Sequence, residues 1–216
     1  MDCILNYTIT SNHVHLLVLD DKGRDVIPQS IKLVAGRTGQ EYNLRKKRKG
    51  AFWEDWYHAT AVESDQHLMR CLVYIDLNMV RTGIVSHPSE WSFGGYNEIQ
   101  TPRRKSMLIA NEKLAELAGF DSYNDFCEVH KESVDEALVN DGNRRQLEWT
   151  ESIAVGSEEF ITLIKEKFGV QAMGREIIKE GEAFQLREPS GNYNAVFDTE
   201  MEDIGAENTY IWDENL

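Results

Sequence analysis

The stretch Ser11-Asn12-His13-Val14-His15-Leu16-Leu17-Val18 decides how the chain is read. Two histidines flank one aliphatic residue inside a short, mostly apolar run. Residues two apart on a β-strand point to the same face, so as a strand this run sets two imidazoles side by side. Neutral imidazole nitrogens in that arrangement can grip one metal ion. The pair alone is a weak metal signal, since the pattern also suits two half-buried strand histidines hydrogen-bonded to backbone.

Working outward, Tyr7-Thr8-Ile9-Thr10 are β-formers and Ser11-Asn12 can turn the chain. Residues 3–19 therefore read as a two-stranded hairpin or one bent strand, followed by a turn at Asp20-Asp21-Lys22-Gly23. Ile27, Ile31, Val34, Thr38 and Tyr42 recur at three- and four-residue steps, predicting a helix over about 28–45 that Gly36 and Gly39 weaken. Next come five bases in a row: Arg45, Lys46, Lys47, Arg48 and Lys49. They read as a solvated loop or, beside a DNA site, as phosphate contacts. Phe52-Trp53-Glu54-Asp55-Trp56-Tyr57-His58 places four aromatics in seven positions. Strand and core are the expectation there, with one exposed ring able to stack on an unpaired base.

A second helix is expected from Ser64-Asp65 to Gly83, with Leu68, Leu72, Ile75 and Met79 as its buried stripe. Tyr74, Asn78 and Arg81 fall on an adjacent face. With this helix the chain resembles the HUH single-tyrosine transposases, and among them the REP-associated tyrosine transposases. The family has a strand reading Asn-His-Val-His-Leu-Leu, present here from Asn12 through Leu17. It also has a helix reading Tyr-Ile-x-x-Asn-Pro-Val-Arg-Ala-Gly, which stands here as Tyr74-Ile75-Asp76-Leu77-Asn78-Met79-Val80-Arg81-Thr82-Gly83. Met79 replaces the family's proline and Thr82 its alanine. Pro88-Ser89-Glu90-Trp91-Ser92-Phe93-Gly94-Gly95-Tyr96 is similar to the segment that follows this helix, and is expected to pack rings back on the sheet.

The resemblance implies an α+β fold, a ferredoxin-like antiparallel sheet with helices on one face. It implies Tyr74 as nucleophile, with His13, His15 and Asn78 holding Mg²⁺ or Mn²⁺. Arg81 joins the five bases Arg45, Lys46, Lys47, Arg48 and Lys49 as expected DNA contacts. The implied partner is single-stranded DNA, of a hairpin-forming kind, and the implied activity is cleavage and strand transfer through a 5′-phosphotyrosine. In the family's βαββαβ order a strand and a helix precede the His-x-His strand. Residues 2–10 suffice for only one strand, so an N-terminally incomplete layer is expected, with an uncovered strand edge and doubtful activity. The alternative reading is a catalytically inactive DNA-binding relative. A different metal hydrolase or an interaction module stays open as well.

Composition constrains the rest. The 216-residue chain is long enough for a sizeable core. Its net charge of −14 is unevenly spread. Residues 1–105 carry 14 basic against 12 acidic residues, and residues 106–216 carry 9 against 25. The acidity belongs to the second half, so the first half keeps a surface on which local potential can favour a polyanion. The bases at Thr101-Pro102-Arg103-Arg104-Lys105 suggest a boundary: a catalytic domain over 1–105 and an acidic, mainly helical extension over 106–216. In that extension helices are expected over 108–117, 122–139 and 158–168, the last capped by Ser157 and stopped by Gly169. The acidic tail over 191–216 reads as short strands or irregular structure. Three scattered cysteines, no signal peptide and no apolar run of membrane length fit a reducing cytoplasm and no membrane. Monomer and homodimer both stay open.

Overall fold

The computed structural model describes residues 2–21, 25–54, 56–102, 107–140, 146–181 and 183–188. The expected acidic tail, the bases Arg103, Arg104 and Lys105, and the second half of the Asp20 to Gly23 turn, Lys22 and Gly23, lie outside these residues.

Strands β1 (Cys3–Ile9) and β2 (Val14–Leu19) form the antiparallel hairpin, with Ile9 opposite Val14 and Cys3 opposite Leu19. Thr10 closes its turn. The Thr10 Oγ1 accepts the His13 N–H at 3.0 Å and the Thr10 N–H donates to the His13 carbonyl at 2.9 Å. The other edge of β1 is met by two loops. The Ile9 N–H donates to the Phe93 carbonyl, the Gly95 N–H to the Tyr7 carbonyl, and the Ala110 N–H to the Ile4 carbonyl. These bonds satisfy backbone groups that a bare edge would expose. Trp91 follows the expected course and lays its indole back on β1, donating Nε1–H to the Ile9 carbonyl at 3.1 Å.

Helix α1 (Val26–Lys46) runs to Lys47, whose φ of 50° takes the left-handed region that ends a helix. Its covered stripe is Ile27, Ile31, Ala35, Gly39 and Tyr42, while Val34 faces out. The shift has a cause in Gly39. The Phe52 side chain lies so close there that an added Cβ would sit 3.2 Å from it, and Trp53 donates its indole N–H to the Ala35 carbonyl. The glycine that weakens helix propensity is thus the seat for the returning chain. The described residues of 52–58 form no strand, and Trp56 is 80% exposed. The aromatics here cover α1 or face solvent instead of entering a central core.

Strand β3 (Ala61–Val62) leads into α2 (Gln66–Asp76), broken at Leu77 and resumed as α3 (Asn78–Arg81). Leu68, Leu72, Ile75 and Met79 are buried as their spacing predicts. Gly83, with φ 71°, follows the second helix. Helices α4 (Tyr96–Gln100), α5 (Asn111–Leu117) and α6 (Tyr123–Val139) close over α2. Ser122 caps α6 by accepting the Asp125 N–H. One core joins Leu5 of β1, Leu68 and Leu72 of α2, Ile99, Ile109, Leu114 and Phe126.

The remaining strands and α-helices among the described residues are α7 (Glu148–Glu151), β4 (Ala154–Gly156), α8 (Glu158–Phe168), β5 (Glu176–Glu180) and β6 (Ala183–Arg187). Ser157 and Gly169 bound α8 as expected. A mixed four-stranded sheet runs in the order β3-β4-β6-β5, parallel only between β3 and β4. Ile161 of α8 packs on Ala154 and Leu186 of this sheet. The fold is therefore a mixed α/β arrangement, with helices on the sheet and a largely helical second half.

Two glycines test this packing with opposite signs. A Cβ at Gly95 would collide with the Asn6 side chain, whereas nothing lies within 4 Å of one at Gly36. Gly95→Ala should cost about 1–3 kcal/mol by overpacking, and Gly36→Ala in α1 should add up to about 1 kcal/mol. Urea unfolding of the two variants reads both.

Candidate active site

Hairpin geometry brings the two histidines together. His13 ends the turn and His15 is the second residue of β2, and their ring centroids lie 5.1 Å apart, edge to face. Asn12 Oδ1 lies 2.8 Å from His13 Nδ1. Thr10 Oγ1 lies 3.0 Å from the same nitrogen. With the ring proton on Nδ1 donated to the amide oxygen, the lone pair falls on Nε2, the state a metal ligand needs. Burial lowers the pKa of His15 to about 4, helped by the charges of His13 and Arg81. His15 is therefore neutral at pH 7.

Tyr74 comes to this pair from α2. Its ring centroid is 5.8 Å from that of His15 and 6.1 Å from that of Trp149 in α7. Its neighbours Cys71, Ile75, Trp149, Val155 and Ala183 form the core between hairpin and mixed sheet, so Tyr74 is only 6% exposed. Arg81 reaches back along the helix. Its guanidinium carbon sits 4.0 Å from the Tyr74 ring centroid, a cation–π contact, and its Nη2 donates to the Tyr74 carbonyl at 2.7 Å. Asn78 lies one turn beyond Tyr74. It is 7% exposed, and its buried Oδ1 accepts no hydrogen bond from the described residues. A buried amide oxygen left unpaired is costly, and a cation or a donor from a ligand would relieve it.

His13, His15, Tyr74 and Arg81 are thus brought together, with Asn78 on the next turn. Arg45, Lys46, Lys47, Arg48 and Lys49 sit elsewhere, exposed at the end of α1. There Arg45 and Arg48 lie 6.0 and 5.8 Å from the Tyr42 ring. Among the described residues, no group of three or more His, Cys, Asp or Glu is placed to share a metal ion. A metal here would rest on two imidazoles and one amide oxygen, a donor set with room for substrate oxygens.

Sequence reasoning missed the surroundings. Trp149 gave no signal, being 75 residues away in a four-residue helix. Asp76 and His130 did leave one. Asp76 follows Leu72 by four residues on a buried face, and His130 stands between Phe126 and Val134 on another. A polar residue inside an apolar stripe calls for a buried partner.

No family model matches the chain, and no curated protein and no solved structure shows significant similarity to it.

The pKa of His15 makes stability depend on pH. Unfolded, the ring takes up a proton near its ordinary value of 6.5, while folded it resists protonation until about pH 4. The unfolded state binds the extra proton between those values, so stability falls as pH drops through this window. Urea midpoints from pH 7 to pH 4 should decline, and His15→Gln should make the decline shallower.

Proposed function

We propose that the chain cleaves and rejoins single-stranded DNA through Tyr74, with Mg²⁺ or Mn²⁺ at His13, His15 and Asn78. The observation that carries this reading is one cluster: the His13–His15 pair against Tyr74, one turn from the unpaired Asn78 Oδ1. The finer fold reading goes with it, a ferredoxin-like layer of which β1, β2 and α2 are parts.

The residues divide the work. Tyr74 oxygen bonds to phosphorus as the bond from phosphorus to the 3′-oxygen breaks. The phenol proton leaves to solvent and the departing oxygen takes one up, giving a 5′-phosphotyrosine and a free 3′-hydroxyl. Because the new ester retains the bond energy, attack by another 3′-hydroxyl reverses the step and joins strands without a nucleotide cofactor. The Arg81 cation above the Tyr74 ring favours the phenolate and offsets phosphate charge. Trp149, its ring tilted against that of Tyr74, holds the ring and excludes water from that side. Asn12 fixes His13 in one tautomer. When bound, the divalent ion would supply charge neutralisation at the phosphate and at the leaving oxygen. Arg45, Lys46, Lys47, Arg48 and Lys49 are assigned to the phosphates of the flanking strand, with Trp56 and Tyr57, 80% and 48% exposed, beside them in the chain.

One observation favours the second reading, a DNA-binding relative without cleavage. Tyr74 is 6% exposed and its ring is covered by Arg81. A nucleophile so placed attacks only if Arg81 moves to a phosphate when DNA arrives.

Incubation with a single-stranded hairpin oligonucleotide and Mn²⁺ separates the two readings. Wild type should form a covalent adduct stable to denaturing electrophoresis, and Tyr74→Phe should form none, with DNA affinity and stability nearly unchanged. Binding without any adduct selects the inactive reading. An adduct that persists in Tyr74→Phe excludes Tyr74 as nucleophile.

Salt dependence tests the bases. Converting Arg45, Lys46, Lys47, Arg48 and Lys49 to Ser should flatten the log–log slope of binding by about 0.7 per lost phosphate contact. An unchanged slope leaves them as a solvated turn.

A further inference from the structure

The buried polar groups behind the tyrosine helix form one connected chain. Asp76 Oδ1 accepts from Asn6 Nδ2 at 3.1 Å, and Asp76 Oδ2 lies 2.8 Å from His130 Nε2. The side chains of Asp76 and His130 are wholly buried. Gln100 Nε2 is 3.0 Å from His130 Nδ1 and 3.1 Å from the Cys127 carbonyl.

These distances settle the protons. A backbone carbonyl only accepts, so the Gln100 atom facing Cys127 is the amide nitrogen, and it donates to His130 Nδ1 as well. The proton of a neutral His130 is therefore on Nε2, and it goes to Asp76. On the other side, Asn6 Oδ1 accepts the Tyr7 N–H at 2.7 Å, which turns the Asn6 amide nitrogen toward Asp76. Both Asp76 oxygens are acceptors, so the carboxylate is ionised with one donor to each oxygen.

The place of this carboxylate gives it a task. Asp76 is the last residue of α2, two residues after Tyr74 and two before Asn78, at the joint where α2 breaks and α3 begins. Anchoring the joint sets the orientation of Tyr74 on one side relative to Asn78 on the other. Asn6 ties it to the hairpin that carries His13 and His15. Gln100 and His130 tie it to α4 and α6. A buried polar pair kept for stability alone would be replaceable by apolar packing, and nothing in a stability role requires the carboxylate to sit at this joint.

We propose that Asp76 and His130, with His130 held in its Nε2–H tautomer by Gln100, are positioning residues for the tyrosine helix. Through the joint at Leu77 they set Tyr74 and Asn78 against the histidine hairpin. The catalytic consequence rests on the proposed tyrosine chemistry, whereas the positioning itself does not.

The test uses the full chain with 3-fluorotyrosine at position 74, in wild type, His130→Ala and His130→Gln. Glutamine offers an amide N–H toward Asp76 where His130 offered its Nε2–H. The readouts are the fluorine resonance at position 74, adduct formation and DNA affinity. In folded His130→Ala the resonance should move and adduct formation should slow by about 100-fold, with DNA affinity within about twofold. His130→Gln should restore both toward wild type. An unmoved resonance in folded His130→Ala overturns the proposal, and so does a loss of adduct that only tracks the folded fraction. If wild type forms no adduct, the tyrosine chemistry fails while the fluorine resonance still decides the positioning. If His130→Ala does not fold, Gln100→Leu takes its place: a shifted resonance supports the proposal, and an unshifted one overturns it.

Discussion

A carboxylate removed from water must be met by donors wherever it ends up, and Asp76 is met from residues 6 and 130. That requirement organises more of the molecule than any one apolar contact. It joins the first strand to the tyrosine helix and to a helix that begins more than 40 residues after it. Breaking such a pair from one side strands a charge, so the elements it joins must assemble together. The apolar core repeats the same connections. Phe126 of α6 is fully buried in the cluster that holds Leu5, Leu68 and Leu72. Residues 107–139 therefore complete the core of the hairpin and the tyrosine helix, whatever separate role the remaining acidic residues have.

Much of the site was legible because its spacing is local. The His-x-His pair needs only strand alternation, and Tyr74, Asn78 and Arg81 need only helix periodicity. The ring contact between His15 and Tyr74, 59 residues apart, follows from neither, and its expectation rested on resemblance. Helix ends were also legible where a side chain makes the cap, as at Ser122 and Ser157, or where glycine stops the helix, as at Gly169. Either Ser64 or Asp65 can cap α2 by sequence, and Asp65 holds the position. It does so at φ 61°, without a capping bond from its side chain.

The mixed sheet was not foreseen, for reasons particular to its strands. β3 has two residues and β4 three, too few for any period to appear. They pair in parallel across more than 90 residues, and long-range pairing leaves no local trace. The β5–β6 hairpin did carry a signal. Glu176-Ile177-Ile178-Lys179-Glu180 and Ala183-Phe184-Gln185-Leu186-Arg187 flank a two-residue connection containing Gly181, whose φ of 61° suits a tight hairpin turn. Its second strand is buried on both faces against α8 and α7, which hides the alternation. The aromatic run at 52–58 misled in the opposite direction. Rings imply burial on average, but here Phe52 and Trp53 lie on α1 while Trp56 and Tyr57 face solvent.

The charges around Tyr74 bear on the order of events. On the proposed reading, two neutral imidazoles and an amide oxygen would hold the metal, and none of them adds charge. Arg81 places a cation within the same cluster. A divalent ion at such a site gains only dipolar coordination from the protein and is opposed by the guanidinium. A phosphate diester changes that balance, because its negative oxygens attract both the metal and Arg81. On the proposed reading, metal and DNA each strengthen the other's binding, as linkage requires of any two ligands that interact favourably. The same phosphate gives Arg81 a reason to leave the Tyr74 ring. The contact that covers the nucleophile in the free protein is then the one that DNA displaces, so the tyrosine becomes available only when a strand is in place to receive it.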